Sequence, residues 1–331
     1  MNRRSMSCCF SSSASSESKV VLLEVTNRCN LGCGYCHALA GKCTDLVLSE
    51  ERIEALLHEM AENRVRKVIL SGGEPLLHKN IRKYVDIIES LGMEADICTN
   101  GTIMNDSILA WIKEHFEDVT ITLDTFDASI YAEMKRCSIS MHEKVINTIK
   151  LLIEAGVHVG ITIVPTIMNY KELPSVVEKL EHMGVTAISI LRLYKMEGAT
   201  NYEFDEKEFY QDIVKNLETH TDIAIRFKGF GLEPASMGKC PAGEGMLGIG
   251  YDGYLYPCLL TRNSAWAVDL STTSFGDALN MDPIKEFIDK RKCCVNKSCV
   301  LSEKCQYGCP AASYIENGTL NCDIRCNYFK S

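Results

Sequence analysis

Three cysteines dominate a short stretch near the start of the sequence, residues 24–37, which read EVTNRCNLGCGYCH. Cys29, Cys33 and Cys36 are separated by three and then two residues, and they directly follow an apolar run. Thiolates are soft donors that suit zinc or iron–sulfur clusters. A structural zinc site usually takes four ligands in C-x2-C pairs, which these three fit poorly. His37 would need a strained loop to become the fourth ligand beside Cys36, so we expect an ordinary loop histidine.

A four-iron cluster normally binds four thiolates, so three thiolates leave one iron without a protein ligand. An open coordination position is what separates a catalytic metal site from a structural one. The spacing therefore predicts a [4Fe–4S] cluster whose open iron binds another molecule. Three unrelated buried thiols are the alternative.

The pattern C-x3-C-x-aromatic-C, with Tyr35 as the aromatic residue, resembles the signature of radical S-adenosylmethionine (SAM) enzymes. The resemblance implies that Cys29, Cys33 and Cys36 hold the cluster and that the open iron binds the amino and carboxylate groups of SAM. It further implies that one electron cleaves SAM to methionine and a 5′-deoxyadenosyl radical, which abstracts a substrate hydrogen. In such enzymes the cofactors do the chemistry, while the protein orients and shields them.

Further motifs lie where predicted strands end, which is where ligands bind on parallel sheets. SGGEP at 71–75 resembles the segment that meets the SAM amino group in this family, although a Gly-Gly turn with a solvated Glu is the alternative. TNG at 99–101, TLD at 122–124 and a following arginine resemble other parts of the family's SAM site. An arginine in a surface salt bridge is the alternative for the last of these. The implied SAM-site residues are Tyr35, Gly72, Gly73, Glu74, Pro75, Thr99, Asn100, Thr122, Asp124 and Arg136, with Arg192 as a weaker candidate.

Nine of the 17 cysteines lie in the last 100 residues. Their spacing resembles the SPASM extension of radical SAM enzymes, and a zinc ribbon is the alternative. The resemblance implies two auxiliary iron–sulfur clusters, the first held by Cys240, Cys258 and Cys309. The second would be held by Cys294, Cys299, Cys305 and Cys326. Asn296 stands where a cysteine is usual, and no cysteine lies just before Cys240, so the first cluster would keep an open iron or borrow Cys293 or Cys322.

Six short β-branched runs alternate with helical patterns between residues 20 and 230, which predicts a parallel sheet, open or closed. The strands are expected at 20–26, 67–71, 94–99, 119–124, 158–164 and 187–193. With the resemblance, the expected fold is α/β, a partial (β/α)6 barrel with a Cys-rich C-terminal iron–sulfur extension. The expected boundaries are a disordered lead at 1–19, the barrel at 20–230 and the SPASM-like domain at 231–331.

The chain has 331 residues and a net charge of −9, which argues against nucleic-acid or anionic-membrane binding. No apolar run approaches the roughly 18 to 20 residues of a membrane span. The cysteine count is odd and no secretion signal is present, so we expect a cytoplasmic protein whose thiols are reduced and bind metal.

Enzymes with this two-part plan mostly modify ribosomally made peptides or proteins, so we expect a thioether or carbon crosslink, or an epimerisation. Implied partners are a reductant such as flavodoxin or ferredoxin, and a separate leader-binding protein, since little chain precedes residue 20. Hydrogen return to a substrate radical would need a thiol donor, for which Cys98 and Cys137, or Cys43, are weak candidates beside the simpler interpretation of ordinary thiols.

Three other functions remain open. A small-molecule cofactor maturase is one, although the related molybdenum-cofactor cyclases lack the nine-cysteine tail and typically end in Gly-Gly, whereas this chain ends NYFKS. A sulfatase-maturase-like enzyme is another, although Leu259 stands where those enzymes carry an aspartate. The third, an iron–sulfur electron carrier or redox sensor, would not need the SAM-site motifs.

Overall fold

A computed structural model describes residues 18–41, 48–194, 202–205, 208–209, 213, 216–217, 223–228, 240–262, 264–291 and 309–320. All but the end of the predicted N-terminal lead lies outside the described residues. Nine cysteines also lie outside the described residues. Four are the predicted ligands of the second auxiliary cluster, Cys294, Cys299, Cys305 and Cys326. The other five are Cys8, Cys9, Cys43, Cys293 and Cys322.

The described strands and helices alternate through the first two thirds of the chain. The strands are β1 Lys19–Thr26, β2 Val65–Gly72, β3 Glu94–Thr99, β4 Asp118–Thr122, β5 His158–Ile163, β6 Ala187–Leu191, β7 Ala224–Lys228, β8 Met246–Ile249, β9 Tyr254–Tyr256 and β10 Val268–Asp269. The helices are α1 Glu50–Glu62, α2 Ile81–Ser90, α3 Asp106–His115, α4 Ala128–Lys135, α5 Ser140–Glu154, α6 Leu173–Met183, α7 Phe275–Leu279, α8 Asp282–Lys290 and α9 Pro310–Asn317. All six predicted strands are confirmed, with ends within two residues of the expected positions.

The chain divides into two compact units, each built from separate segments. The first unit holds Cys29–His37 and the described part of Asp96–Lys228. Its strands β3, β4, β5, β6 and β7 pair in that order and all run parallel. This confirms the predicted α/β class with a parallel sheet, and β7 is a strand that the sequence patterns did not predict.

The two faces of this sheet differ in polarity, because successive side chains of a strand point to opposite faces. One face is apolar and buried, and its residues are Val119, Ile121, Val159, Ile161, Ile163, Ile188 and Ile190. The other face is polar: the strand register places Thr122, Thr162, Ser189 and Arg226 in one row near the carboxyl ends. Cys98 and Thr120 share that face. The hydroxyl of Thr162 is buried and has no hydrogen-bond partner among the described residues.

The second unit holds the described residues of 18–28, Ala38–Ala95 and Gly229–Ser331. Here β1 lies between β2 and β8 and runs parallel to both, while β9 and β10 continue from β8 in antiparallel fashion. The predicted hairpin at Asp252-Gly253 is confirmed, with Gly253 in the left-handed region that such a turn requires. An apolar cluster of Trp266, Phe287 and Leu320 packs beside the helices of this part.

Helix ends follow the predicted signals. The Ser49 side chain caps α1 by accepting a hydrogen bond from the Arg52 backbone N–H at 3.2 Å. Gly184 ends α6 in the left-handed conformation, and Gly156 has the same conformation after α5. No helix among the described residues is both long and apolar enough to cross a membrane.

Candidate functional site

The three cysteines of the opening motif lie on the loop that follows β1. None of the three forms a disulfide, and all three are partly buried. The backbone N–H of Leu31 donates to Cys29 Sγ at 3.4 Å. The pKa of the Cys33 thiol is raised to about 12, chiefly by burial; Lys135 opposes the rise, whereas Cys36 and Cys29 add to it. Cys29 and Cys36 are therefore close enough to Cys33 to act on its charge.

The backbone of this loop is bound to the carboxyl end of α4. The N–H groups of Gly32 and Gly34 donate to the carbonyls of Lys135 and Met134, at 2.9 and 3.1 Å. The last carbonyls of a helix have no partner within the helix, so the loop satisfies them. Arg136 ends α4 with a left-handed backbone (φ 48°), and its side chain is exposed beside the loop. The loop and the end of α4 thus hold each other in place.

A buried polar network lies behind the loop. The Lys135 ammonium is 2.7 Å from Asp124 Oδ2 and donates to the Tyr35 hydroxyl at 2.6 Å. Tyr35 in turn donates to Asp124, whose other oxygen accepts from the Val164 N–H at 2.8 Å. The Lys135 and Asp124 side chains are 3% and 0% exposed. Both carboxylate oxygens of Asp124, which was predicted to contact the cofactor, are therefore bound by protein groups.

The TNG segment holds the amino end of the cysteine loop. Asn100 donates to the Asn30 side-chain oxygen at 2.9 Å, and its Nδ2 lies 3.8 Å from Cys29 Sγ. Asn30 donates to the Thr102 hydroxyl at 2.8 Å. The Thr99 hydroxyl accepts from the Gly101 N–H at 3.1 Å. Asn100 therefore provides a side-chain donor to a predicted cluster thiolate.

The GGEP segment packs directly against the backbone just before the cysteine loop, within the second unit. The N–H groups of Gly73 and Glu74 donate to the carbonyls of Thr26 and Arg28, at 2.7 and 2.8 Å. A Cβ added to Gly73 would lie 2.7 Å from the Arg28 carbonyl carbon and nearer still to its oxygen. Gly72 has a positive φ of 130° and leaves no room for a Cβ beside Thr26. The structure thus explains both glycines by close backbone approach to the chain itself.

Glu74 and Pro75 complete this segment. The Glu74 side chain is fully buried, and one of its oxygens accepts from the Leu76 N–H at 3.1 Å. Pro75 is buried at the start of a short 3-10 turn, Pro75–Leu77. The predicted contact of Glu74 with the SAM amino group stays a prediction.

The remaining predicted residues of the first unit lie in different settings. Thr122 and Cys98 are partly buried on the polar face of the sheet. Cys137 lies just past α4, where its N–H donates to the Ala132 carbonyl at 3.0 Å. Burial raises the pKa of the Cys137 thiol, and Lys135 opposes that rise. Arg192 is buried immediately after β6.

A second set of thiols, Cys240, Cys258 and Cys309, meets in the second unit. Burial raises the pKa of Cys240 to about 11 and that of Cys258 to about 12, and in both the charge of Cys309 is the next contribution. These are the three residues predicted for the first auxiliary cluster, and the structure brings them together. The Arg291 guanidinium fixes the neighbouring backbone by donating to the carbonyls of Cys240, at 2.6 Å, and Ala242.

The donors at both sets suit an iron–sulfur cluster, because they are neighbouring cysteines outside any disulfide, the ligands that such clusters bind. Among the residues that the structure describes, no three His, Cys, Asp or Glu side chains are placed to hold a single metal ion. A cluster makes a different demand, since each thiolate binds a different iron atom. The arrangement therefore differs from a closed mononuclear zinc centre.

Sequence patterns missed three features of this site. Lys135 stands in MKRC without any spacing that signals a role, and only the fold brings it to Tyr35. Asn30 could have been noticed, because it adjoins Cys29 and asparagine often hydrogen-bonds nearby backbone or side chains. The polar row that includes Thr162 and Ser189 follows from strand register alone.

Comparisons with known proteins agree with this geometry. Residues 23–189 match the family description "Radical SAM superfamily". A probable GTP 3′,8-cyclase of Methanopyrus kandleri is 33% identical over 165 residues, which are 50% of this chain and 53% of the cyclase. The sporulation killing factor maturation protein SkfB of Bacillus subtilis is 25% identical, over 72% of this chain and 59% of SkfB. This chain thus spans about half the length of the first of these relatives.

Among solved structures, SuiB of Streptococcus suis bound to S-adenosylmethionine superposes with a TM-score of 0.76 at 19% identity. The match covers 94% of this chain and 78% of SuiB. It confirms the expected α/β fold with a mainly parallel, partly barrel-like sheet. Because the family match spans half of the sequence and contains the cysteine loop, this protein belongs to the radical SAM superfamily.

Proposed function

We propose that Cys29, Cys33 and Cys36 hold a [4Fe–4S] cluster at which SAM binds. The observation that carries this proposal is the loop itself: three cysteines outside any disulfide, two of which act on the charge of the third, on a backbone held by α4. When bound, the cluster and SAM supply one-electron cleavage of SAM to a 5′-deoxyadenosyl radical.

The protein's own residues would prepare this site in three ways. Asn100 donates toward Cys29 Sγ, which stabilises negative charge on that thiolate. Thr122, with the buried hydroxyls of Thr162 and Ser189, offers a row of neutral donors and acceptors on the polar face of the sheet. Arg136, exposed beside the loop, provides a cation for the SAM carboxylate, and Glu74 remains the residue proposed for the amino group.

We further propose that the substrate is a ribosomally made peptide or protein. Nine cysteines follow residue 239, more than one further cluster requires. Three of them, Cys240, Cys258 and Cys309, already converge, which supports an auxiliary cluster as in the SPASM resemblance. SkfB is named for the maturation of a sporulation killing factor, and SuiB has been solved with its precursor peptide SuiA. The bond formed would be a thioether, a carbon crosslink or an inverted stereocentre.

The second candidate is a reaction on a small molecule. Several curated relatives are named GTP 3′,8-cyclase or probable GTP 3′,8-cyclase, and one, from Methanocaldococcus jannaschii, matches 85% of this chain at 25% identity. This observation favours a nucleotide substrate, which the polar row on the sheet would also suit.

One experiment tests whether the loop holds a cluster and whether that cluster cleaves SAM. The protein is reconstituted without oxygen, its iron is counted, and 5′-deoxyadenosine is followed with SAM and dithionite. We expect about twelve iron atoms per chain, and about eight when Cys29, Cys33 and Cys36 are changed to alanine. Deoxyadenosine should form in the first protein alone; its absence from both would refute the proposal.

Parallel reactions then separate the substrates. One contains GTP and the other contains synthetic versions of short peptides encoded beside the gene. A peptide mass change that requires SAM supports the peptide proposal, whereas SAM-dependent conversion of GTP would replace it with the cyclase. In peptide reactions, loss of product in Cys98→Ala but not in Cys137→Ala would identify a hydrogen donor on the polar face.

A further inference from the structure

A lysine that no sequence pattern indicated occupies a nearly fully buried position near the cysteine loop. We propose that Lys135 is a positioning residue that fixes the loop around Cys33 and places positive charge beside the cluster held there. The inference rests on the proposed function of the loop, and it assigns a role to a residue outside both the cysteine motif and the predicted SAM site.

Two attachments to Lys135 bracket Cys33. On the amino side, the Gly32 N–H donates to the Lys135 carbonyl at 2.9 Å. On the carboxyl side, the Tyr35 hydroxyl accepts from the Lys135 ammonium at 2.6 Å. A single residue therefore holds the loop through its backbone and through its side chain, on either side of a predicted cluster ligand.

The ammonium is itself held rigidly. Asp124 lies 2.7 Å away with its side chain fully buried, and the Val164 N–H and the Asn169 side chain fix Asp124 in turn. The ring of Tyr35 also faces the ammonium, with its centroid 5.1 Å from Nζ. Removing two charges from water is costly, so a buried ion pair with so many bonds indicates a role besides stability.

The Lys135–Asp124 pair also bears on the electrostatics of the cysteine loop. The Lys135 ammonium lies 2.6 Å from the hydroxyl of Tyr35, which adjoins Cys36 in the loop, and Lys135 ends the helix whose last carbonyls bind the loop on either side of Cys33. Positive charge in a poorly solvated setting favours the reduced, more negative state of a cluster. The arrangement therefore makes the cluster easier to reduce than the same loop without the pair.

The test compares two double variants of equal net charge. The first, Lys135→Met with Asp124→Asn, removes the buried pair. The control, Lys150→Met with Asp118→Asn, changes an exposed lysine of α5 and an aspartate at the opposite end of β4. Each reconstituted protein is assayed for iron and for the midpoint potential of the cluster whose electron paramagnetic resonance signal changes when SAM is added.

We expect the buried-pair variant to bind iron with its midpoint potential shifted to more negative values, while the control matches the wild type. Equal potentials in all three proteins, with iron bound, would overturn the inference and leave the proposed function intact. Failure of the wild type itself to bind iron at the loop, shown by equal iron in the Cys29, Cys33 and Cys36 alanine variant, would instead refute the proposed function.

A milder variant covers the case in which the buried-pair variant does not fold. Tyr35→Phe keeps the Lys135–Asp124 pair and removes only the hydroxyl that ties it to the loop. We expect a chelator to remove iron from this variant faster than from the wild type and the SAM-dependent signal to change. Iron release at the wild-type rate with an unchanged signal would overturn the inference.

Discussion

Replacing Gly73 with alanine tests whether the GGEP segment supports the cysteine loop through its backbone. The added Cβ would lie 2.7 Å from the Arg28 carbonyl carbon and 2.8 Å from the Asn27 oxygen. The Arg28 carbonyl oxygen would lie nearer still, and an ordinary contact needs 3.4 Å or more, so the two backbone segments must separate by about 1 Å. No side-chain rotation can relieve an overlap with backbone. We therefore expect a loss of about 3 kcal/mol in unfolding free energy, at the upper end for overpacking.

The assay is urea unfolding of the iron-free protein, followed by iron content after reconstitution. Iron should fall because the displaced carbonyl belongs to Arg28, the residue before Cys29. Gly32→Ala is the matched control: its Cβ would meet Arg136 at an ordinary 3.5 Å, and its φ is not positive. If Gly73→Ala unfolds at the same urea concentration as this control and binds the same iron, the backbone explanation of GGEP is wrong.

Three further predictions follow from other contacts. Asn100→Leu removes a hydrogen-bond donor to Cys29. The midpoint potential of the SAM-binding cluster should fall by roughly 20 to 60 mV, which is the free energy of one hydrogen bond expressed as a potential. An unchanged potential would contradict this prediction. Arg291→Met should lower the free energy of urea unfolding by about 3 kcal/mol, because it leaves buried carbonyls unpaired. A loss below about 0.5 kcal/mol, typical of surface changes, would show that Arg291 does not stabilise this part of the fold. Burial raises the pKa of Glu59, but hydrogen bonds, chiefly from Arg52, lower it below its ordinary value. Glu59→Gln should therefore cost about 1 to 2 kcal/mol at neutral pH. The difference from wild type should vanish once the pH falls below the lowered pKa of Glu59 in the folded protein. A difference independent of pH would refute the ionic role.

The strands could be predicted where apolar and β-branched residues dominate a short run, as in VVLLEVT and HVGITIV, even with a polar residue such as Glu24 or Thr162 inside the run. β7 was missed because AIRFK carries charged residues at alternate positions, which reads as a solvated segment rather than the edge of a parallel sheet. The hairpin at Asp252-Gly253 was local and therefore predictable. The parallel pairing of β8, the first strand of this hairpin, with β1 joins residues far apart in sequence, and no local pattern encodes such a pairing.

The same distinction between local and long-range features applies to the candidate site. The cysteine spacing and the TNG segment lie within short windows, so the sequence indicated them and the structure brings Cys29 and Asn100 together. Asp124 was predicted to contact the cofactor because TLD at 122–124 resembles a family motif, but nothing in the sequence indicated that Lys135 of α4 would pair with it. A partner supplied by a neighbouring helix depends on tertiary structure, which local sequence patterns do not show. We expect Asp124 to position the loop through Tyr35 and Lys135, and its contact with the cofactor stays a prediction.

The cysteine loop poses an electrostatic difficulty that the position of Lys135 addresses. The carbonyls at the carboxyl end of α4 bind the N–H groups of Gly32 and Gly34, but a helix end of this kind also carries partial negative charge. That charge opposes the thiolates that a cluster requires. A cation in the last turn of the helix offsets it, and burial makes the offset stronger than it would be at a solvated surface. Lys135 is the last residue of α4 and nearly fully buried, so one side chain allows a helix end to anchor a loop of thiolates.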